Sequence, residues 1–338
     1  ENILLALGTD PDVMHLSLPY VQWMLVGSPL IFIYIVYTSI LRGVGDSTTP
    51  LFASVITIGV GLVVTPVLIG GYFGFPKMGI ISPALATILG NLAVLVFLIL
   101  YLKRKQHPLK LDWALLKNIR HQPQLSKTIL KLGVPTGVQM VTTSVAGLVI
   151  VGLVNRYGAE ATAAYGAVNQ VLNYIQFPAL SIAIAASVFA AQAIGAGKSD
   201  LLNKVTRTAL IMNILFTGGL VILAYLFSKY LMALFITDPQ VVVLGQKLLF
   251  IVLWAILFFG ASAIFASIMR SSGTVTMPML INIFAILCIE VPAAYLFSRW
   301  WGLEGIWYAY ALAFVSMCIL QGLYYQFVWK KKTIETLI

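Results

Sequence analysis

Ser39-Ile40-Leu41-Arg42-Gly43-Val44-Gly45-Asp46-Ser47-Thr48-Thr49-Pro50 returns later in the chain as Ser267-Ile268-Met269-Arg270-Ser271-Ser272-Gly273-Thr274-Val275-Thr276-Met277-Pro278. Ser, Ile, Arg, Gly, Thr and Pro match at a constant offset of 228. The same offset lays Thr9-Asp10-Pro11 on Thr237-Asp238-Pro239 and Val13 on Val241 without a gap. Past the two prolines the match continues at an offset of 226, with Pro66 on Pro292 and Gly79-Ile80 on Gly305-Ile306. A unit of that length, repeated once, predicts two similar lobes.

The repeat is built from apolar helices. Of the 338 residues, 60% are hydrophobic and 9% charged, with a mean hydropathy of +0.96, far outside the range of water-soluble domains. Stretches long enough to cross about 30 Å of hydrocarbon fall near 16–41, 51–73, 79–102, 129–155, 161–190, 205–227, 241–268, 278–298 and 303–328. The expected fold is therefore an all-α membrane protein with nine transmembrane helices. Internal duplication of membrane helices points to a transporter whose substrate path runs between the lobes. Cys288 and Cys318 lie inside apolar spans and imply no disulfide framework.

A net charge of +10 invites a nucleic-acid reading, but its distribution argues otherwise. Alternating the spans puts 16 of the 21 Lys and Arg on one side, among them Arg42, Lys103 to Lys105, Lys198, Arg270 and Lys330 to Lys332. That asymmetry is the positive-inside signature, so residues 106–126 and the C-terminus are expected in the cytoplasm, with no nucleic-acid partner. Residues 1–105 then form a partial N-terminal lobe of three spans, and 127–338 a C-terminal lobe of six. Residues 106–126 are the linker, in which Asp112 caps a short amphipathic segment carrying Trp113, Leu115, Leu116 and Ile119, with His107 and His121 read as solvated. Set against the second lobe, the first lacks three helices, so about 100 residues are expected to precede Glu1.

The repeated Arg-x-x-Gly turn reads as architecture. Arg42 and Arg270 sit where a cation favours a helix C-terminus and anionic headgroups. Gly45 and Gly273 permit the turn, and Pro50 and Pro278 suit the next first turn. Glu290, in Ile289-Glu290-Val291-Pro292, is the one carboxylate well inside a span, and an ionisable group at that depth is a functional candidate. Three readings stand: proton or cation handling, an ion pair with Lys247 at similar depth on the preceding helix, or a solvated residue at a cavity mouth. Asn169, Asn173 and Gln176 fall at i, i+4 and i+7, a polar stripe extended by Tyr165 and ended by Pro178. Gln139, Thr142 and Thr143 follow a kink expected between Gly133 and Gly137. Both groups fit either interhelical hydrogen bonding or a cavity wall that contacts substrate.

Arg42-Gly43-Val44-Gly45-Asp46 with Pro50, Gly133-Val134-Pro135-Thr136-Gly137-Val138-Gln139, Gln192 to Lys198, Arg270 to Pro278 and Gly302 to Trp307 together resemble the multidrug and toxic compound extrusion (MATE) family. The resemblance implies a two-lobe bundle of twelve helices related by a pseudo-two-fold axis along the membrane normal, monomeric when complete and seated in the plasma (inner) membrane. It also implies efflux of small organic cations by antiport with H⁺ or Na⁺, without a cofactor, a structural metal or catalysis. One branch keeps an acid where this chain has Thr143. Another keeps Asn and Asp ligands in the stretch that here reads Gly61-Leu62-Val63-Val64-Thr65-Pro66, although Thr87 matches a residue of that branch's cation site. The coupling ion is thus open between H⁺ and Na⁺. Lipid-linked glycan flippases share the architecture but would favour a cleft rich in Arg and Lys for pyrophosphate. A membrane enzyme would need clustered His and carboxylates, and a channel a ring built by oligomer symmetry.

Overall fold

The computed structural model describes residues 11–107, 109–110, 122–198 and 200–332, with side chains from Met14 onward. The Thr9-Asp10 part of the repeat, the amphipathic segment around Asp112 and Trp113, and His121 lie outside the described residues. Two compact units are present, Glu1–His121 and Gln122–Ile338.

The first unit holds α1 (Pro11–Gly43), α2 (Thr48–Gly70) and α3 (Ser82–Arg104). The second holds α4 (Pro123–Val154), α5 (Ala159–Gly195), α6 (Leu201–Leu226), the short α7 (Ser228–Ala233), α8 (Pro239–Ser271), α9 (Thr276–Trp301) and α10 (Leu303–Phe327). Among the described residues nine helical segments are long and apolar enough to cross a bilayer, with mean hydropathies of 1.6 to 2.6. They carry exposed Leu, Val, Ile and Phe along much of their length, as expected where lipid is the solvent. Pro66, Pro135 and Pro178 lie inside α2, α4 and α5 without ending them. A membrane helix tolerates such breaks because neighbouring groups re-satisfy the freed carbonyl.

Tyr37, Leu41, Ala53, Val94, Leu98 and Leu102 form the core of the first unit. In the second unit α5 and the Ile256–Ser271 part of α8 pack closely because both faces are small. Ala179, Ala183, Ala186, Ala190 and Ala193 are buried on α5, facing a stretch of α8 that carries Ser262, Ala263 and Ala266. Ser267 Oγ donates to the Ala183 carbonyl at 2.7 Å, a polar stitch suited to a medium without competing water.

The two quoted turns share one backbone design. Gly45 N–H donates to Arg42 O at 3.0 Å and Asp46 N–H to Leu41 O at 3.0 Å; Gly273 N–H donates to Arg270 O at 2.9 Å and Thr274 N–H to Met269 O at 3.2 Å. This is the Schellman pattern, and it requires the left-handed φ of 93° at Gly45 and 79° at Gly273. After the turns the copies diverge. Asp46 accepts from the Thr48 and Thr49 amides at 3.1 and 3.0 Å and from the Thr49 hydroxyl, capping α2. Burial alone would raise the Asp46 carboxyl, but those hydrogen bonds, led by Thr49, and the charge of Lys105 hold it below its ordinary range. His107 is not the solvated residue expected. Its Nε2 lies 3.9 Å from Asp46 Oδ2 and its Nδ1 accepts from the Leu109 amide, because a left-handed Gln106 turns the chain back after α3.

Candidate functional site

The polar stripe of α5 faces a cavity of about 430 Å³ inside the second unit, a size suited to a drug-like ligand. Asn169, Asn173 and Gln176 form one wall. Gln139 and Thr143 of α4 join them, with Thr143 Oγ1 bonded to the Gln139 carbonyl at 3.0 Å. Thr142, one position earlier, is not in the lining. Glu290 and Asn282 enter from α9, Ser262, Ser267 and Arg270 from α8, and Tyr310, Phe314 and Met317 from α10. Six of the seven expected substrate- or ion-binding residues therefore share one cavity. The seventh, Thr87, sits in α3 of the other unit, where its hydroxyl is taken by the Pro83 carbonyl at 2.8 Å.

Glu290 is 7% exposed and, among the described residues, has no hydrogen-bond or ion-pair partner. Its expected partner is engaged elsewhere: Lys247 Nζ binds Glu304 at the start of α10. Lys247 meets the first turn of α10, whereas the bonds from Gln321 to Pro278 and Asn282 set Glu290 level with Ala309 to Ala313, so the two differ in depth as well as in the neighbour they face. Local geometry explains part of the difference. Ala285–Glu290 forms a π-helical turn, and Pro292 two residues on has no N–H for the ladder and crowds the preceding turn. The extra residue in that turn rotates Glu290 relative to an ideal helical wheel.

The wall beside Glu290 is aromatic. Tyr310 lies 5.6 Å from Trp307 and 6.3 Å from Phe314 between ring centroids, and its hydroxyl meets that of Tyr165 at 3.0 Å. Phe314 stands 5.2 Å from Phe259. A carboxylate framed by aromatic faces and amide oxygens is the composition that holds a lipophilic cation.

Arg270 corrects the architectural reading of the repeat. Arg42 donates to Ser39 Oγ at 3.1 Å on its own helix, whereas Arg270 turns into the cavity and donates to Gln139 Oε1 at 3.0 Å. The backbone turn is shared, and the Arg270 side chain meets Gln139 of α4. Sequence reasoning also passed over Asn282, Ser262 and Tyr310. A lone polar residue in an apolar span was the available signal for Asn282, which accepts from Gln321 Nε2 at 3.3 Å.

The MatE family model matches residues 1–67 and 135–296. The chain is 42% identical to the probable multidrug resistance protein YoeA of Bacillus subtilis, covering all of this chain and 73% of that protein. It is 28% identical to the probable multidrug resistance protein YpnP of the same organism, covering 99% and 74%. Among solved structures, a MOP superfamily transporter from Pyrococcus furiosus superposes with a TM-score of 0.89 at 20% identity, covering 98% of this chain and 74% of that one. That likeness concerns the fold alone.

Proposed function

The chain belongs to the MatE family of multidrug efflux transporters, and on that footing we propose that it exports small organic cations by antiport with H⁺ or Na⁺. The cavity of the second unit supplies the binding site, and Glu290 is the carboxylate that cargo and coupling ion occupy in turn. The observation that carries this reading is Glu290 itself: 7% exposed, unpaired among the described residues, and set in a cavity lined by Asn169, Asn173, Gln176 and Tyr310. A buried carboxylate without a fixed counter-charge is costly to keep, and a site that a cation fills in each cycle accounts for keeping it. Mutually exclusive occupancy then couples the two fluxes, since each ligand lowers the apparent affinity for the other by the same factor.

Orientation follows from charge. With the Lys103–Lys105 and Lys330–Lys332 clusters in the cytoplasm, the Arg270 end of the cavity is the inner end and the Glu290 end the outer one. Thr87 of the first unit is the remaining candidate for a cation ligand. Dye efflux by the full-length protein in vesicles of inner-membrane lipid, with Na⁺ and pH gradients imposed separately, tests the assignment. Accumulated dye should leave in response to one gradient and not the other. Efflux indifferent to both would reject antiport.

A further inference from the structure

The face of α5 turned away from the cavity carries a second hollow, of about 490 Å³, in the seam with α6. Ala185, Ala186 and Ala209 line it with small side chains, Phe189 and Met212 wall it, and Lys204 is its one charged residue. At 100° per residue the cavity face of α5, through Asn173, Gln176 and Leu180, lies opposite the face through Ser181, Ala185 and Phe189. The two spaces are therefore separate. Phe189, Met212 and Leu215 are exposed, so the hollow opens on the surface that lipid solvates.

Its two ends differ. Lys204 lies in the first turn of α6, and the neighbouring Thr206 hydroxyl meets that of Tyr325 at 2.8 Å. That bond sets this end level with the last turn of α10 and the Lys330–Lys332 cluster beyond it, the inner-leaflet end on the orientation given by charge. From Lys204 to Met212 is roughly 12 Å along α6, most of the ~15 Å that one leaflet adds to the hydrocarbon core. A further hollow of about 500 Å³ shares Ser181, Ile182 and Met212 and carries on to Gly219. Spread over the first 12 Å, 490 Å³ gives a cross-section of roughly 40 Å², half that of a helix 10 Å across. Extended hydrocarbon chains fit such a groove, and a helix does not.

The charged end has no fixed counter-charge. None of Lys198, Lys204 and Arg207 is ion-paired with a described carboxylate, Asp200 included. Lys330 Nζ stands 5.3 Å over the Tyr325 ring, which holds a further cation near this end. A groove apolar along its length and cationic at the interface complements a molecule with apolar chains and an anionic head.

We propose that the α5–α6 groove binds an anionic phospholipid of the inner leaflet, with an acyl chain along Ala185, Ala209 and Met212 and the phosphate on Lys204. Neither cargo nor coupling ion enters this site.

The test uses the purified full-length protein, stripped of lipid and titrated with phosphatidylglycerol or phosphatidylcholine of identical chains, with bound lipid counted by native mass spectrometry. The wild type should hold one phosphatidylglycerol about fivefold more tightly than phosphatidylcholine, the ratio expected of one ammonium meeting the extra negative charge at a membrane surface. Lys204→Gln should bring that ratio close to one. Lys127→Gln, which removes an exposed cation at the start of α4, should leave it unchanged. Ala185→Trp fills the chain groove from an exposed position and should weaken both lipids about tenfold, the equivalent of two methylenes displaced. A ratio of one in the wild type, a ratio unmoved by Lys204→Gln, or binding unmoved by Ala185→Trp overturns the site. Glycerol phosphate, the head without its chains, should fail to displace the lipid even in large excess; full displacement would leave an ion site only and overturn the lipid assignment. A dimer that Ala185→Trp dissociates would give the groove to a second copy and overturn it too. Efflux is not read in this experiment, so a failure of the export reading leaves the lipid site standing.

Discussion

Gly305→Ala probes the closest backbone approach in the second unit. A Cβ built at Gly305 would overlap the carbonyl carbon and oxygen of Phe297 and lie 2.6 Å from the Ser298 nitrogen. These are backbone atoms of α9 and cannot swing aside as a side chain could, so the α9–α10 hairpin must open by roughly 1 Å to reach ordinary contact near 3.5 Å. That opening loosens Ala294, Ile306 and Ala309, each fully buried, and strains the hydrogen bond from the Tyr157 hydroxyl to the Ser298 carbonyl at 3.0 Å. Overpacking a tight core costs about 1–3 kcal/mol, and a rigid backbone obstacle places this variant at about 3. For a unit of this size that is a fall of roughly 6–12 °C in melting temperature. The assay is thermal unfolding of the full-length protein in detergent, followed by tryptophan fluorescence. Gly152→Ala, where nothing lies within 4 Å of the added methyl, serves as the control and should be neutral or slightly stabilising. If Gly305→Ala melts within about 1 °C of the wild type, the tight α9–α10 approach is wrong, and with it the register that sets Glu290 opposite Tyr310.

Other outcomes follow from the same packing. Lys247→Ala should cost at most about 1 kcal/mol in a melt and leave cation efflux near wild type, because the Lys247–Glu304 pair is 62% and 31% exposed and Glu290 does not depend on it. Gln321→Ala should cost about 1–3 kcal/mol in the same melt, since it leaves the Pro278 carbonyl without its buried donor. The Asp46 carboxyl is held low in the folded protein, so its contribution is complete above the unfolded value near 4 and is lost as pH falls through the depressed folded value. Melts across the acid range should therefore show the wild type losing stability there, while Asp46→Asn, less stable throughout, lacks that part of the acid loss.

Much of the fold was legible because lipid imposes a simple code. Apolar runs of sufficient length mark the spans, and the repeated Arg-x-x-Gly with a following Pro marks two turns that share hydrogen bonds and a left-handed glycine. The polar stripe Asn169, Asn173 and Gln176 was legible for a related reason, since helical spacing alone puts the three on one face. Relations between helices were less accessible. Sequence puts Lys247 and Glu290 at similar depth, but Lys247 meets the first turn of α10 while Glu290 lies about two turns deeper, and the π-helical turn before Pro292 shifts its face further. Equivalent repeat positions also differ in purpose. Gly79 takes a φ of 50° in open space, whereas Gly305 is helical and needed for close approach. A match in sequence such as Arg42 with Arg270 records the shared turn and not the neighbour that a side chain meets.

Export by this route requires that cargo and coupling ion share the Glu290 carboxylate. The most direct measurement is equilibrium binding of rhodamine 123 to the full-length protein at stepped pH and stepped Na⁺, for the wild type and Glu290→Gln. The wild type should lose affinity as one of the two ions rises, and the Gln variant, weaker from the start, should be insensitive to both. A Glu290→Gln protein that binds the dye as tightly as the wild type, with the same ion dependence, would contradict it.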